Sequence, residues 1–201
     1  PIQIISPDRG FVVGGAPKLK RSYLDWGVYH GNHKTLKTYA SYKKTLKNIN
    51  TILTSGEQTH LDEWLTQLAN LSVEITKNRI VYTENLSSIL KENKSMRLSS
   101  LVESFFDFKF ELQTGWPKEV DPLNEQHILS YLINNKKALI KTKYLNYGPH
   151  RASIDFSLNS QNENYLSRGE QKKTSIVFWM LQVLALAENQ KKPVVLVDDI
   201  S

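Results

Sequence analysis

Hydrophobic residues recur at intervals of three and four through the first half of the chain, and this spacing predicts two long amphipathic helices. The first run covers residues 36–53, and the second covers residues 61–89, where polar Ser72 and Arg79 interrupt the apolar positions. Between them lies TSGEQT, in which Gly56 indicates a turn. Two long helices joined by a short loop are typical of an antiparallel helical hairpin.

The second half of the chain changes to other patterns. Strict alternation in FFDFKFEL and ASIDFSL predicts two half-buried strands. The short apolar, β-branched run PVVLVDD predicts a strand buried on both faces. Residues 124–140 are expected to be helical, GEQKKTSIVFWMLQVLALAENQ is a long apolar helix, and PIQIISP at the start is extended.

These patterns predict an α/β fold with an inserted all-α arm. Residues 1–16 and 101–201 belong together as the mixed α/β part, and residues 17–100 form the helical arm, or second lobe.

Composition is compatible with an anionic partner but does not by itself indicate one. The net charge is +6 and the isoelectric point about 9.3, as expected for a protein that binds nucleic acid, although a merely soluble surface accounts for the same balance. The absence of cysteine suits the cytoplasm, and no apolar run reaches the roughly 20 residues that span a bilayer. The chain opens on Pro1 without a methionine, and we expect both ends to be cuts in a longer protein.

The apolar strand near the end of the chain runs into two adjacent acids, Asp198 and Asp199. Phosphate-binding α/β folds present a magnesium ligand in this way. Asp198 would hold Mg²⁺ through water, and Asp199 would polarise the attacking water. The alternative is a strand end that happens to be acidic.

A second motif precedes the long apolar helix. In YLSRGEQKK, Ser167 and Gly169 fall at the predicted helix start, where free N–H groups and the helix dipole favour an anion. The alternative is a serine that only caps the helix. A Ser-x-Gly helix opening, one long helix and then a strand ending in two acids is the order of an ABC-ATPase signature followed by Walker B. Gly10 and Gly15 have the spacing of a Walker A motif, but Ala16 follows where lysine is required, so that match fails.

Basic residues form two clusters that could follow a phosphate backbone. A solvated helix face is the alternative for each lysine. The clusters are Lys43, Lys44 and Lys47, and Lys136, Lys137, Lys141 and Lys143.

Several segments together resemble the RecF family of bacterial recombinational repair. SPDRGFVVGGAPKLKRSYLDWGVYH is similar to that family's characteristic segment, and YGPHRASIDF and LSRGEQKK are similar to two further motifs. The chain departs from the pattern at Lys20, where arginine is usual, at Ala152, where an acid is usual, and at Glu170, where glutamine is usual. We expect the Glu170 carboxylate to point away from a bound γ-phosphate.

The resemblance implies part of an ABC-type, SMC-like ATPase head, with ATP sandwiched between two protomers. It implies that Gln3 senses ATP and Mg²⁺, that Asp198 binds the metal, that Asp199 is catalytic, and that Ser167, Arg168 and Gly169 contact the partner protomer's ATP.

The resemblance also implies a cytoplasmic, nucleoid-associated protein of DNA replication, repair, recombination and the SOS response. It would dimerise with ATP on single- and double-stranded DNA near gaps, with RecR and RecO as partners, to help load recombinase. Without Walker A, the chain by itself is predicted to be inactive. Two alternatives stay open: another SMC-type ATPase head, or a non-catalytic module that binds DNA or a partner.

Overall fold

The structure, a computed structural model, describes residues 2–5, 11–56, 59–94, 108–188 and 192–197. Its elements in chain order are β1 (Ile2–Ile5), α1 (Pro17–Gly31), α2 (Thr35–Ser55), α3 (Leu61–Lys94), β2 (Phe108–Gln113), α4 (Glu125–Asn134), α5 (Lys136–Thr142), β3 (Ser153–Leu158), β4 (Gln161–Asn162), α6 (Arg168–Glu188) and β5 (Val194–Val197). Short 3₁₀ turns lie at Pro149–Arg151 and Glu163–Tyr165.

The two predicted long helices are present as α2 and α3. Gly56 ends α2 in the left-handed conformation with φ of 81°, and its N–H donates to the carbonyl of Ile52 at 3.1 Å. The predicted helix over 124–140 is divided into α4 and α5 at Asn135. None of the helices in the described part of the chain combines the length and hydrophobicity needed to cross a bilayer.

Both polar positions in the α3 seam are buried and bonded. Ser72 Oγ donates to the carbonyl of Leu68 at 2.7 Å, and the Arg79 guanidinium donates to the carbonyl of Pro149 at 2.6 Å. The predicted apolar face of α2 begins later than expected, because Leu36 in its first turn is 58% exposed. A polar side chain therefore fits the seam wherever a carbonyl lies within its reach.

The strands form two sheets. β2, β3 and β4 are antiparallel neighbours, with Phe110 opposite Phe156, and the predicted inward face of β3 is confirmed because Ile154, Phe156 and Leu158 are buried. β1 and β5 pair in parallel, with Ile2 opposite Val194.

The prediction that the last strand is buried on both faces is wrong for this chain. Val194, Val195 and Leu196 are 54%, 38% and 50% exposed. Among the described residues β5 pairs with β1 alone. A continuous apolar run indicates that a strand is covered on both faces, but it does not say which segment supplies the cover.

The chain divides into two compact units, and their boundaries differ from the predicted ones. The first unit contains Pro1–Asn32, Ile80–Gln113 and Ser153–Ser201, and the second contains His33–Arg79 and Thr114–Ala152. The predicted arm over 17–100 is thus too long at both ends, and it omits residues 114–152.

Side-chain packing explains this difference. In the first unit, α1 joins the sheet and α6, since the Tyr23 ring stacks on Phe178 at 4.2 Å and its hydroxyl donates to the Phe178 carbonyl at 2.6 Å. In the second unit, Trp116, Ile128 and Leu132 share one core with the buried residues of α2. Periodicity predicts that a helix has an apolar face, but not which neighbour covers it.

Candidate nucleotide-facing site

The start of α6 carries the predicted signature residues. Ser167 immediately precedes the helix, and the Ser167 N–H donates to the Glu170 carboxylate at 2.8 Å while the Glu170 N–H donates to Ser167 Oγ at 3.3 Å. This reciprocal pair is a capping box, encoded by Ser-x-x-Glu. Ser167, Arg168, Gly169 and Glu170 are all exposed. Ser167 therefore caps the helix, and the three residues that follow it are exposed to solvent.

Gly169 leaves room for a ligand close to the backbone. A Cβ atom at this position would have no neighbour within 4 Å, so packing within the chain does not require glycine here. In the part of the chain that the structure describes, no protein acceptor takes the N–H groups of Arg168 and Gly169. Two donors at the positive end of a 21-residue helix suit an anion.

Glu170 brings a negative charge to the same helix end. Hydrogen bonds from the Ser167 side chain and then from its backbone lower the pKa of the Glu170 carboxyl, so the group is ionised at neutral pH. A carboxylate in the first turn stabilises the helix dipole but repels a phosphate. Its bond to the Ser167 N–H holds it there.

The predicted nucleotide-sensing residue, Gln3, and the two predicted acids at the magnesium site belong to β1 and to the sequence just after β5. Gln3 lies in β1, with its backbone opposite Val195 of β5, and nothing is described of its side chain. Asp198 and Asp199 lie outside the described residues. Because β1 and β5 are parallel, with Ile5 opposite Val197, the carboxyl ends of the two strands meet at one edge. No group of three or more histidines, aspartates or glutamates is arranged for a metal among the described residues.

The Gly-Pro-His-Arg segment, Gly148 to Arg151, lies near the end of the second unit and is bonded to other parts of that unit. Gly148 has φ of 123°, and its N–H donates to the carbonyl of Gly115 at 2.9 Å. The His150 ring spans from the Tyr42 hydroxyl, 2.8 Å from Nδ1, to the Leu145 carbonyl, 3.1 Å from Nε2. Burial raises the pKa of Tyr42, whose hydroxyl therefore stays protonated. The segment acts as a packed turn.

The predicted lysine clusters both lie in the second unit, on α2 and around α5. Lys136 is half-buried and forms an ion pair with Asp62, with Nζ 2.7 Å from Oδ1. Six of the predicted lysines have exposed side chains: Lys43, Lys44, Lys47, Lys137, Lys141 and Lys143.

A shallow groove runs along one face of α2. Lys43 and Lys47 line it together with Asn50 and Thr54. Asn50 Oδ1 accepts from the N–H of Leu145 at 2.9 Å, which places the α2 lysines beside the end of the α5 cluster.

Sequence reasoning missed the residues that hold the start of α6. The Ser175 hydroxyl in α6 accepts from the N–H of Val13 at 3.0 Å, and the carboxylate of buried Glu163 accepts from the N–H of Gly14 at 2.6 Å. No spacing signals these contacts, since the partners are far apart in the chain. The only available signal was an acid in the otherwise polar stretch just before the signature.

Solved structures have the same fold. The chain matches the "structure of the recombination mediator protein RecF-ATP in RecFOR pathway" with a TM-score of 0.81 and 23% identity, over all of this chain and 55% of that one. A related structure with ATPrS matches with a TM-score of 0.80 and 24% identity, over 98% of this chain and 54% of that one. The chain therefore shares the fold of about half of these RecF structures, and the predicted α/β fold with a helical arm is confirmed.

The chain is also similar in sequence to curated RecF proteins. The RecF protein of Psychromonas ingrahamii is 30% identical over 206 residues, and that of Hahella chejuensis is 29% identical over 205 residues. Each match covers the whole of this chain, which spans about half the length of these relatives, 54% and 53% respectively. The chain is homologous to RecF proteins over its whole length. No protein-family model matches it.

Proposed function

We propose that the chain acts as part of a RecF-type recombination mediator, to which it contributes the signature, the Walker B strand and the helical arm. The observation that carries this proposal is the exposed start of α6, where Arg168 and Gly169 present free N–H groups beside the Ser167 hydroxyl. The relatives and the shared fold support the same role.

In this proposal each nucleotide site combines residues of two protomers. Ser167, Arg168 and Gly169 of one protomer meet the γ-phosphate held by the other. Charge developing on that phosphate is stabilised by the aligned N–H groups and the helix dipole. On the opposite side Gln3 senses the nucleotide, Asp198 holds Mg²⁺, which would neutralise phosphate charge when bound, and Asp199 orients the attacking water.

The same proposal assigns DNA to the lysine surface of the second unit. Helix α2 carries Lys43, Lys44 and Lys47 in its groove and no acidic residue along its length. An unbroken positive helix face beside the α5 lysines suits a sequence-independent phosphate contact. Single- and double-stranded DNA near gaps, with RecR and RecO, are the proposed partners in the cytoplasm.

A non-catalytic module is the second candidate function, because no G-x-x-x-x-G-K-[ST] match exists in this chain. Both candidates predict that the chain alone does not bind ATP tightly, and tight binding of ATP and Mg²⁺ in isothermal titration would contradict both. Hydrolysis by mixed dimers of the full-length protein separates them, because a non-catalytic module would not restore it.

Mixed dimers of the full-length protein test the two-protomer site. Ser167→Asp keeps a good helix cap but repels a phosphate, and Asp199→Asn removes the catalytic carboxylate. Each variant alone should lose ATP hydrolysis. If signature and Walker B act across the interface, a mixed dimer contains one intact site, and mixing restores hydrolysis in part. Mass measurement confirms that mixed dimers form, and their failure to hydrolyse ATP would contradict the proposal.

A further inference from the structure

A buried ion pair lies behind the start of α6. In the first unit, Lys20 Nζ of α1 lies 2.5 Å from Glu163 Oε1, and the two side chains are 7% and 5% exposed. Lys20 belongs to the segment that resembles the family's characteristic motif, at a position where arginine is usual. Glu163 precedes Ser167 by four residues. Charges are rarely buried unless they are paired and hydrogen-bonded, so the environment of this pair is informative.

The pair joins separate parts of the first unit. Besides Lys20, the Glu163 carboxylate accepts from the N–H of Gly14 at 2.6 Å and from that of Phe156 at 3.3 Å. Lys20 Nζ also donates to the carbonyl of Ile154 at 2.7 Å. The glycine-rich turn, α1, strand β3 and the 3₁₀ turn before α6 thus meet at two charged side chains.

The network continues into the first turn of α6. Gln171 Nε2 donates to the carbonyls of Glu163 at 3.2 Å and Leu166 at 3.3 Å. A Cβ atom on Gly14, whose φ is 72°, would lie 2.6 Å from the Gln171 amide. The glycine-rich turn therefore packs directly on the residue that follows the signature.

The exposed signature residues depend on these contacts for their position. Ser167 is held locally by its capping box, and space around Gly169 is open. A displacement of about 1 Å is enough to cost roughly a hundredfold in a positioned reaction. Glu163 and Gln171 are thus among the contacts that fix the start of α6, together with the bond from the Val13 N–H to the Ser175 hydroxyl.

We infer that Glu163 and Lys20 are positioning residues for the anion-binding start of α6. Their ion pair fixes the position of Ser167, Arg168 and Gly169 relative to the glycine-rich turn. Neither Lys20 nor Glu163 contacts the nucleotide itself. The inference rests on the proposed function of the signature across the dimer interface. A purely structural ion pair would instead affect the signature only as far as it affects folding.

Four variants of the full-length protein distinguish these roles. Lys20→Arg keeps the pair, Glu163→Gln leaves a buried cation facing an amide, and Lys20→Met with Glu163→Gln removes both charges. Leu132→Ala, in the core of the second unit, is the control for lost stability away from the pair. Each is measured for thermal midpoint, nucleotide affinity of the monomer and ATP-driven dimerisation.

The effects of the four variants on ATP-driven dimerisation should not follow their effects on the thermal midpoint. Glu163→Gln should weaken ATP-driven dimerisation by about tenfold or more, while monomer nucleotide affinity changes by less than about twofold. The double variant should be more stable than Glu163→Gln, because it buries no unpaired charge. It should not recover dimerisation, because a glutamine at 163 offers N–H where Gly14 or Phe156 needs an acceptor. Lys20→Arg should dimerise normally, and so should Leu132→Ala despite its lower midpoint.

Each other outcome has a definite meaning. Normal dimerisation of the double variant, or dimerisation that follows the thermal midpoint across all variants, overturns the inference. If Glu163→Gln alone does not fold, the double variant and Lys20→Arg decide. Ser167→Asp measured in parallel separates the two proposals. If it blocks dimerisation while the double variant does not, the positioning inference alone fails; if it dimerises normally, the proposed signature function fails.

Discussion

Ser167 and Glu170 cap the same helix end by exchanging hydrogen bonds, from the Ser167 N–H to the Glu170 carboxylate at 2.8 Å and from the Glu170 N–H to Ser167 Oγ at 3.3 Å. The serine thus has a structural role in the chain itself. The same bonds leave the N–H groups of Arg168 and Gly169 for a ligand. The helix cap and two open N–H donors coexist here because different backbone donors of the first turn are involved.

The role of Ser167 across the interface predicts a particular pair of phenotypes in the full-length protein. Ser167→Arg should block ATP-driven dimerisation by steric exclusion, despite the attractive sign of the new charge, and should leave monomer nucleotide affinity intact. Asp198→Asn should weaken Mg²⁺-dependent nucleotide binding within one protomer. Nucleotide affinity and ATP-dependent dimer mass are measured side by side. Equal loss of monomer affinity in both variants, or normal dimerisation of Ser167→Arg, would reduce Ser167 to a helix cap.

The capping box predicts a pH dependence. The pKa of Glu170 is lowered in the folded chain by its bonds to Ser167, so its stabilising contribution is fully present above the unfolded-state pKa. That contribution is lost as the pH falls through the lowered folded pKa. Carboxyl NMR titration should show Ser167→Ala shifting the pKa of Glu170 upward, towards its usual value. The remaining carboxyl signals are the internal control, and an unchanged Glu170 titration would contradict the assignment.

The α2 and α3 seams predict graded stability losses. Leu68 is fully buried, and Leu68→Ala should lower the free energy of unfolding by about 2–5 kcal/mol. Leu46 is only partly buried, so Leu46→Ala should cost less. Leu36 is 58% exposed, and Leu36→Ala should change stability by less than about 0.5 kcal/mol. Urea denaturation of the chain measures all three, and equal losses would show that the burial pattern is wrong.

The groove lysines predict a salt-dependent loss of DNA affinity. Replacing Lys43 or Lys47 by alanine should weaken binding uniformly across sequences and reduce the slope of log K against log salt by about 1 per lysine. Lys37→Ala is the matched control, because Lys37 is also exposed on α2 but lies outside the groove. Fluorescence anisotropy at several salt concentrations provides the comparison. If Lys37→Ala had the same effect, binding would reflect overall charge.

Local patterns predicted most elements and the candidate signature. The alternation of Ile154, Phe156 and Leu158 predicted the buried face of β3, and the position of Ser167 just before a long apolar helix indicated a helix cap as one alternative. Each depends on residues within a few positions of one another. Such patterns can be recognised in the sequence because a helix or strand imposes its own period on the side chains that it buries.

Only the tertiary structure could decide which distant residues meet. It joined Lys20 to Glu163 across 143 positions, brought the α2 lysines beside the segment after α5, and left β5 exposed where the sequence predicted burial. A charge or an apolar run shows that a residue needs a partner. The sequence by itself thus determined which elements form and predicted where an anion could bind. Long-range packing determined what holds the start of α6 in place, since partners far apart in sequence carry no common period.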